Sequence, residues 1–491
     1  MLKVNSDYLK DPKFYEQMGV PDAMGTICDP HKHRILRRRV NPLFSQQAVD
    51  KMAGDIQTTI NHACDLITES FDAQNFIRAI AGDVVSTHYF GENMSLIDRP
   101  GYAHKLWDGI DTLVGQMWYM IHIPYLATIL AELPSILLKI SLPGLAGLIE
   151  VCMRHSEKAL ERNKTRSASV ETDNATFFDL LTTPSPGQQP VHLSQEDLVN
   201  HGLNLVGAGV DTISLTMTVA LYHILSSPEI KNQVCRETRE ATPFIRDELD
   251  SQRVRTLPYL GAVIKETLRM YPPVPGRMPR IVPPQGESYN GSFIPGGTIV
   301  SISPYTIHHD ATLFSEPNIF KPERWLGDNT LEMERALIPF STGSRMCPGI
   351  HLAYLEIYMT LATLFSRFVL ELESPLPRPE LEWTDQFVIV FDHPVKPTGA
   401  DTVEGTVDVT QWRRLRHELT DTGVTTRRDS RMIYKATSLL QPRATGSKLD
   451  EKKNIHEWRV PKNTPVNDPK AIEQSVPPRC AMQGPDCGEP P

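Results

Sequence analysis

The stretch Phe340-Ser341-Thr342-Gly343-Ser344-Arg345-Met346-Cys347-Pro348-Gly349 places one cysteine in a glycine-bearing loop, directly ahead of the apolar, helix-periodic run HLAYLEIYMTLATLF (351–365). Amide N–H groups of the loop and of the helix N-terminus converge on such a sulfur. The spacing therefore predicts a thiol of lowered pKa whose electron donation is tempered. Gly343 and Gly349 let backbone approach a large planar ligand, and Arg345 supplies a cation for that ligand's carboxylates. A buried structural cysteine is the plainer alternative for a lone Cys.

Upstream, Glu266-Thr267-Leu268-Arg269 lies on a helical pattern that puts its acid and base on one face at i,i+3. Arg324, within Phe320-Lys321-Pro322-Glu323-Arg324-Trp325, can complete a Glu-Arg-Arg network if the fold brings it close. A second Glu-x-x-Arg, Glu332 to Arg335, is set aside because it sits just before the cysteine loop and lacks a proline-rich segment after it. A long helix is predicted from Ser194, with Asp197 as the acid of a capping box, to Ser227 before Pro228. Its middle is apolar nearly all round, which marks a helix crossing the interior of a large domain. Ala208-Gly209-Val210-Asp211-Thr212 interrupts that interior with an acid and an alcohol side by side. A mid-helix Thr can simply bond back to a carbonyl. Near the start, PHKHRILRRRV (30–40) sets His33 and Arg37 on one helix face at i,i+4, and Arg280 lies in GRMPRIVP after the Glu266 helix. The runs 297–305 and 387–395 read as strands, and Lys164 to Pro190 reads as a surface linker.

These motifs, in this order, resemble the cytochrome P-450 family over about residues 5–398. The HRxxRRxxNPLFS-like segment around His33 is most similar to fungal microsomal members of terpenoid or polyketide pathways. The resemblance implies a mainly α fold with minor β, and haem b with Cys347 as its axial thiolate. It assigns His33, Arg37, Arg280, Phe340, Arg345 and Gly349 to the cofactor, Glu266, Arg269 and Arg324 to a structural network, and Asp211 and Thr212 to proton delivery. The implied activity is a monooxygenase inserting one oxygen atom from O2 into an apolar small molecule. Electrons would come from NADPH-cytochrome P-450 reductase, with cytochrome b5 as a further partner, and Arg34, Arg38 and Arg39 would form part of the donor-docking surface. Two other readings are carried: a haem-thiolate isomerase that rearranges peroxides, and an inactive haem-binding remnant.

Composition narrows the rest. Hydrophobic residues make up 40 % and charged residues 22 % of the 491, as in globular proteins. A net charge of -9 gives no global case for nucleic-acid binding. Seven cysteines without a CxxC pair read as reduced, intracellular thiols, and Cys480 and Cys487 lack the nearby histidine pair of a zinc site. The apolar segment 113–140 is broken by His122, Pro124, Glu132 and Pro134, so it reads as two buried or membrane-grazing helices rather than a span. The resemblance adds an endoplasmic-reticulum location. The family places an anchor and early sheet strands before the helix that begins here near His31, so an N-terminally truncated catalytic domain, 1–399, is expected. From 401 onward the only aromatics are Trp412, Tyr434 and Trp458, and 400–491 reads as a low-complexity, disordered tail.

Overall fold

The helix predicted from Ser194 organises the protein. In the computed structural model it runs unbroken over Gln195–Ser226, about 50 Å at 1.5 Å per residue. The model describes residues 6–67, 71–102, 104–123, 125–126, 129, 142–165, 175–183, 193–241, 250–328, 330–372 and 383–391. All of these belong to the first of two units, Met1–Thr426 and Arg427–Pro491. The predicted tail lies outside the described residues, and of the apolar segment 113–140 only 113–123, 125–126 and 129 are described, 113–122 as the end of one helix.

Among the described residues the fold is mainly helical. The elements used below are β1 (Leu9–Lys10), α1 (Pro30–Val40), α2 (Gln46–Asp65), α3 (Ala73–Val85), α4 (Lys105–His122), α5 (Pro143–Thr165) and α6 (Phe177–Thr182). They continue with α7 (Gln195–Ser226), α8 (Pro228–Ala241), α9 (Pro258–Met270), β2 (Arg280–Ile281), β3 (Glu287–Tyr289), β4 (Ser292–Ile294), β5 (Ile299–Val300), α10 (Ile350–Arg367), β6 (Trp383–Gln386) and β7 (Val388–Phe391). Ser194 and Asp197 form the reciprocal capping box that starts α7. Within α7, Gly207–Asp211 is a π-helical turn. The apolar faces of α2, α3, α7, α9 and α10 merge into one core, in which Ile56, Phe76, Met217, Ile264 and Phe365 are completely buried. Where α4 crosses α5 the backbones nearly touch, since a Cβ on Gly109 would stand 2.5 Å from the Gly144 carbonyl oxygen.

The sheet content is small. Antiparallel β1, β2 and β5 form a three-stranded sheet in the order β1-β2-β5, with Lys10 opposite Arg280 and Arg280 opposite Val300. Among the described residues, two hairpins, β3–β4 and β6–β7, accompany it. The strand read at 297–305 is only two residues long, because Pro304 opens the short helix Pro304–His308 capped by Ser303. The strand read at 387–395 is realised as Val388–Phe391, and 392–395 lies outside the described residues. The linker reading also needs correction: its middle is α6, started by a Thr176–Asp179 capping box and buried through Phe177, Phe178 and Leu181.

One buried carboxylate ties α9 to the chain beyond it. Glu266 accepts from Arg269 Nε and Nη2 at 2.9 Å, Arg324 Nε at 3.0 Å, Trp325 Nε1 at 2.9 Å and the Lys321 amide at 2.9 Å. Glu266 and Arg269 are fully buried. The set-aside pair, Glu332 and Arg335, sits on a short helix with no buried residue. Removing one member of a buried pair leaves the other charge uncompensated, so Glu266→Ala is expected to cost about 3–5 kcal/mol in urea unfolding. Glu332→Ala should stay within about 0.5 kcal/mol. Equal effects for the two would contradict the assignment.

Candidate active site

The cysteine loop hangs from the Glu266 network. Arg269 Nη1 donates to the His308 carbonyl at 2.8 Å, and His308 Nδ1 lies 3.1 Å from the Arg269 carbonyl. His308 Nε2 accepts the Ile338 amide at 2.9 Å, which fixes the tautomer with the proton on Nδ1. Ile338 begins the turn that closes through Ser341 N to Ile338 O at 3.0 Å and Cys347 N to Phe340 O at 2.9 Å. Gly343 has φ of 77°, a left-handed conformation that glycine adopts without strain. Gly349, at φ of -82°, is not demanded by its backbone; a Cβ there would stand 3.9 Å from the Cys347 sulfur, an ordinary van der Waals contact.

Cys347 departs from one sequence expectation. The Gly349 amide and the Arg37 guanidinium do lower its thiol pKa, but burial outweighs both and the net shift is upward. The protein alone thus favours the thiol, whereas a coordinated metal cation deprotonates such a group outright.

Around the loop the fold gathers cations. Arg37 donates Nη1 to the Met346 carbonyl at 2.9 Å, and Arg345 donates to the Ile27 and Cys28 carbonyls at 2.8 and 3.3 Å. Arg280 donates to Tyr15 Oη at 2.7 Å. His33 is buried on α1, which Asp29 caps by accepting the His31 and Lys32 amides. Sequence reasoning missed a fifth member, Lys10, which the β1–β2 register sets beside Arg280. Its ammonium bonds the Gly25 carbonyl and lies 4.2 Å from the Tyr15 ring centroid.

Among the described residues, none of these five forms an ion pair with a carboxylate. Burial, followed by Arg345 and Arg280, holds Lys10 well below the usual lysine range. Burial and Arg280 lower Arg345 to about 10, and burial with Arg345, Lys10 and Arg37 lowers His33 to about 3. A cluster of basic side chains, Lys10, Arg37, Arg280 and Arg345 with a neutral His33 among them, makes no carboxylate ion pair among the described residues and lies next to a thiol, which fits a metal macrocycle that carries carboxylates. Phe340 lies against Tyr354 of α10, ring centroids 5.3 Å apart.

A second group of the sequence-predicted residues lies on α7. Ala208 is exposed and Thr212, one turn on, is partly exposed, although the helix to either side is buried. The Thr212 hydroxyl donates to the Ala208 carbonyl at 2.7 Å, the back-bonding geometry weighed for it from sequence. Asp211 is buried, and its Oδ1 lies 2.9 Å from Arg78 Nη2 of α3, close in charge but not aligned as a hydrogen bond. Arg78, also missed from sequence, is bidentate to the exposed Asp111 of α4 at 2.5 and 3.2 Å. Burial raises the Asp211 carboxyl pKa, with Arg78 opposing. Of the basic residues read as a docking surface, Arg34 and Arg38 are exposed. Arg39 is not: it is buried and donates to the Leu181 carbonyl at 2.7 Å, because it lies one turn from Leu36 on the buried face of α1.

A sequence model of the family described as Cytochrome P450 matches residues 4–393. The chain is 37 % identical over 400 residues to cytochrome P450 monooxygenase aneF of Aspergillus aculeatus, covering 80 % of this chain and 79 % of that protein. It is 34 % identical over 395 residues to cytochrome P450 monooxygenase asqL of Emericella nidulans, covering 79 % and 81 %. Among solved structures, that of the cytochrome P450DA haem domain matches with a TM-score of 0.64 at 16 % identity, covering 82 % of this chain and 84 % of that one.

The His308 bonds carry a pH prediction. Burial lowers its imidazole to about 3 in the fold, while an unfolded histidine titrates near 6.5. The unfolded chain therefore takes up the proton first. The stability contributed by neutral His308 is complete above about pH 6.5 and is lost as pH falls toward 3, by up to ~1.4 kcal/mol per unit. Urea unfolding of His308→Phe should start from lower stability and show a flatter pH slope than the parent. An unchanged slope would overturn the assignment.

Proposed function

This chain belongs to the cytochrome P450 family, and from that membership we propose that it is a haem-thiolate monooxygenase acting on an apolar small molecule, a terpenoid or polyketide intermediate of fungal secondary metabolism. The observation that carries the cofactor assignment is the unpaired cluster of Lys10, His33, Arg37, Arg280 and Arg345 beside Cys347. Cys347 would supply the axial sulfur, and the cluster would neutralise the two propionates of haem b, with Phe340 and Gly349 bordering the ring. When bound, the haem supplies the activation of O2, with thiolate donation favouring O–O cleavage.

The chain's own residues then have separate tasks. Thr212 holds its proton on the Ala208 carbonyl, so its oxygen lone pairs are left to orient water in the open stripe of α7. Asp211 holds a proton more readily than an exposed carboxyl does, which suits a general acid. Arg78 keeps it in place and links it to Asp111 at the surface. This arrangement supports the monooxygenase over a peroxide-rearranging isomerase, which needs no proton delivery.

NADPH-cytochrome P-450 reductase is the proposed electron donor, with cytochrome b5 as an auxiliary, docking over exposed Arg34 and Arg38. The domain reading, a catalytic unit over 1–399 followed by a tail, is retained as part of the proposal. For a location on the cytosolic face of the endoplasmic reticulum, the supporting feature is the end of α4. Trp118 and Tyr119 are 42 % and 49 % exposed there, followed by Tyr125 at 75 % and Ile129 at 60 %. Such a mixed aromatic and aliphatic tip suits a lipid interface.

Reduced protein under carbon monoxide should show the far-shifted Soret band of thiolate ligation, and Cys347→Ser should lose it. A histidine-type band in the parent would refute the assignment of the axial ligand. With reductase and NADPH, Thr212→Ala should divert electrons from product to peroxide, and Asp211→Asn should slow product formation by on the order of 10². Normal coupling and rate in both variants would refute the proton-delivery roles. Peroxide consumption without NADPH would favour the isomerase.

A further inference from the structure

A cavity of about 310 Å³ opens between the end of α4 and the β6–β7 hairpin, a size that takes a drug-like molecule. Phe14, Trp118 of α4, Tyr305, and Trp383 and Phe387 of the hairpin give it aromatic walls. The Tyr305 and Trp383 rings meet edge to face at 5.3 Å. Phe14 packs on Tyr15, the acceptor of Arg280, so the cavity borders the cation cluster beside Cys347.

Two local features bring an acid to these walls. Phe387 sits at the hairpin tip with φ of 78°, a left-handed conformation that a bulky residue rarely adopts. Asp385 Oδ1 accepts its amide there at 2.9 Å, and its ring lies 6.4 Å from that of Phe14. Gly276 is not left-handed, so what its missing Cβ provides is room: a Cβ would collide with Asp385 Oδ2. The next residue, Arg277, also lines the cavity, its guanidinium carbon 5.5 Å from the Phe14 ring centroid. Among the described residues, Asp385 and Arg277 form no ion pair with each other or with any third group.

A hydrocarbon filling this cavity would strip water from both charges and return no hydrogen bond. A cationic ligand would satisfy the acid but face the guanidinium, and an anionic one the reverse. A neutral group that donates on one edge and accepts on the other answers both charges at once. We propose that the cavity binds the substrate through a secondary amide or lactam carried on a planar ring system. The amide N–H donates to Asp385 Oδ2, its carbonyl oxygen accepts from Arg277, and the aromatic walls take the planar body by stacking and edge contacts. This inference rests on the monooxygenase reading and narrows the apolar substrate of that reading to one that carries such a group.

Calorimetric titration of the full-length haem-loaded protein tests this with ligands of similar size: isoquinolone, its N-methyl derivative, the N-methylisoquinolinium cation and naphthalene. Isoquinolone should bind about tenfold or more tightly than each of the others, the effect of one hydrogen bond to a charged group. Asp385→Ala should erase the cost of N-methylation, and Arg277→Ala should weaken both lactams about tenfold relative to naphthalene. Each readout is a ratio of ligands on one protein, which a general loosening of the cavity does not produce. The Arg277 variant carries the test if the hairpin of the Asp385 variant does not fold. No binding of isoquinolone, a hydrocarbon or cation bound as tightly, or ratios that the variants leave unchanged would each overturn the proposal. The carbon monoxide band of the same sample separates the two readings: a thiolate-type band with the wrong ligand order refutes the amide site alone, and absence of the band overturns both.

Discussion

Glu266 is the point from which the cysteine loop is suspended. Its two oxygens take five N–H donors from α9 and from residues 321–325. Arg269, thus oriented, holds the His308 carbonyl, and His308 in turn holds the Ile338 amide at the mouth of the loop. An ion pair sealed from water contributes little net energy against a well-packed apolar replacement, but it is costly to break. Here its effect is to make the position of residue 347 dependent on a single geometry.

A second constraint acts in the opposite direction. The basic groups at Lys10, Arg37, Arg280 and Arg345 satisfy their N–H groups with neutral acceptors such as the Gly25, Met346, Ile27 and Cys28 carbonyls and Tyr15 Oη. Neutral acceptors meet directional requirements and leave the like-charge repulsion in place. The bare chain is therefore electrostatically unfavourable where a dianionic cofactor would be most favourable, so cofactor binding and local order should be thermodynamically linked.

The sequence disclosed the parts of this that are local. The Cys347 loop, the i,i+3 spacing of Glu266 and Arg269, the Ser194–Asp197 cap and the buried length of α7 all follow from neighbouring residues. What it concealed depends on pairing across long separations. Lys10 gains meaning only once the sheet register sets it beside Arg280, and Arg78 only once α3 lies against the π-helical turn of α7. Arg39 misled because its charge was read ahead of its place on the face of Leu36 and Val40. The thiol shift was misjudged because spacing shows which amides approach a sulfur but not how much water they displace. The β3–β4 hairpin was missed although its signal is local: Asn290 and Gly291, with φ of 47° and 80°, are the residue pair that such a turn selects.

The π-helical turn Gly207–Asp211 has an evolutionary corollary. A π turn is equivalent to an α-helix carrying one surplus residue, absorbed locally so that the flanking turns keep their facing. Loss of a single codon there could restore a plain helix while Leu203 upstream and Met217 downstream stayed seated in the core. The open stripe around Ala208 and Thr212 is in that sense a detachable insertion. The lineage could gain or lose it in one genetic event without having to redesign the scaffold around it.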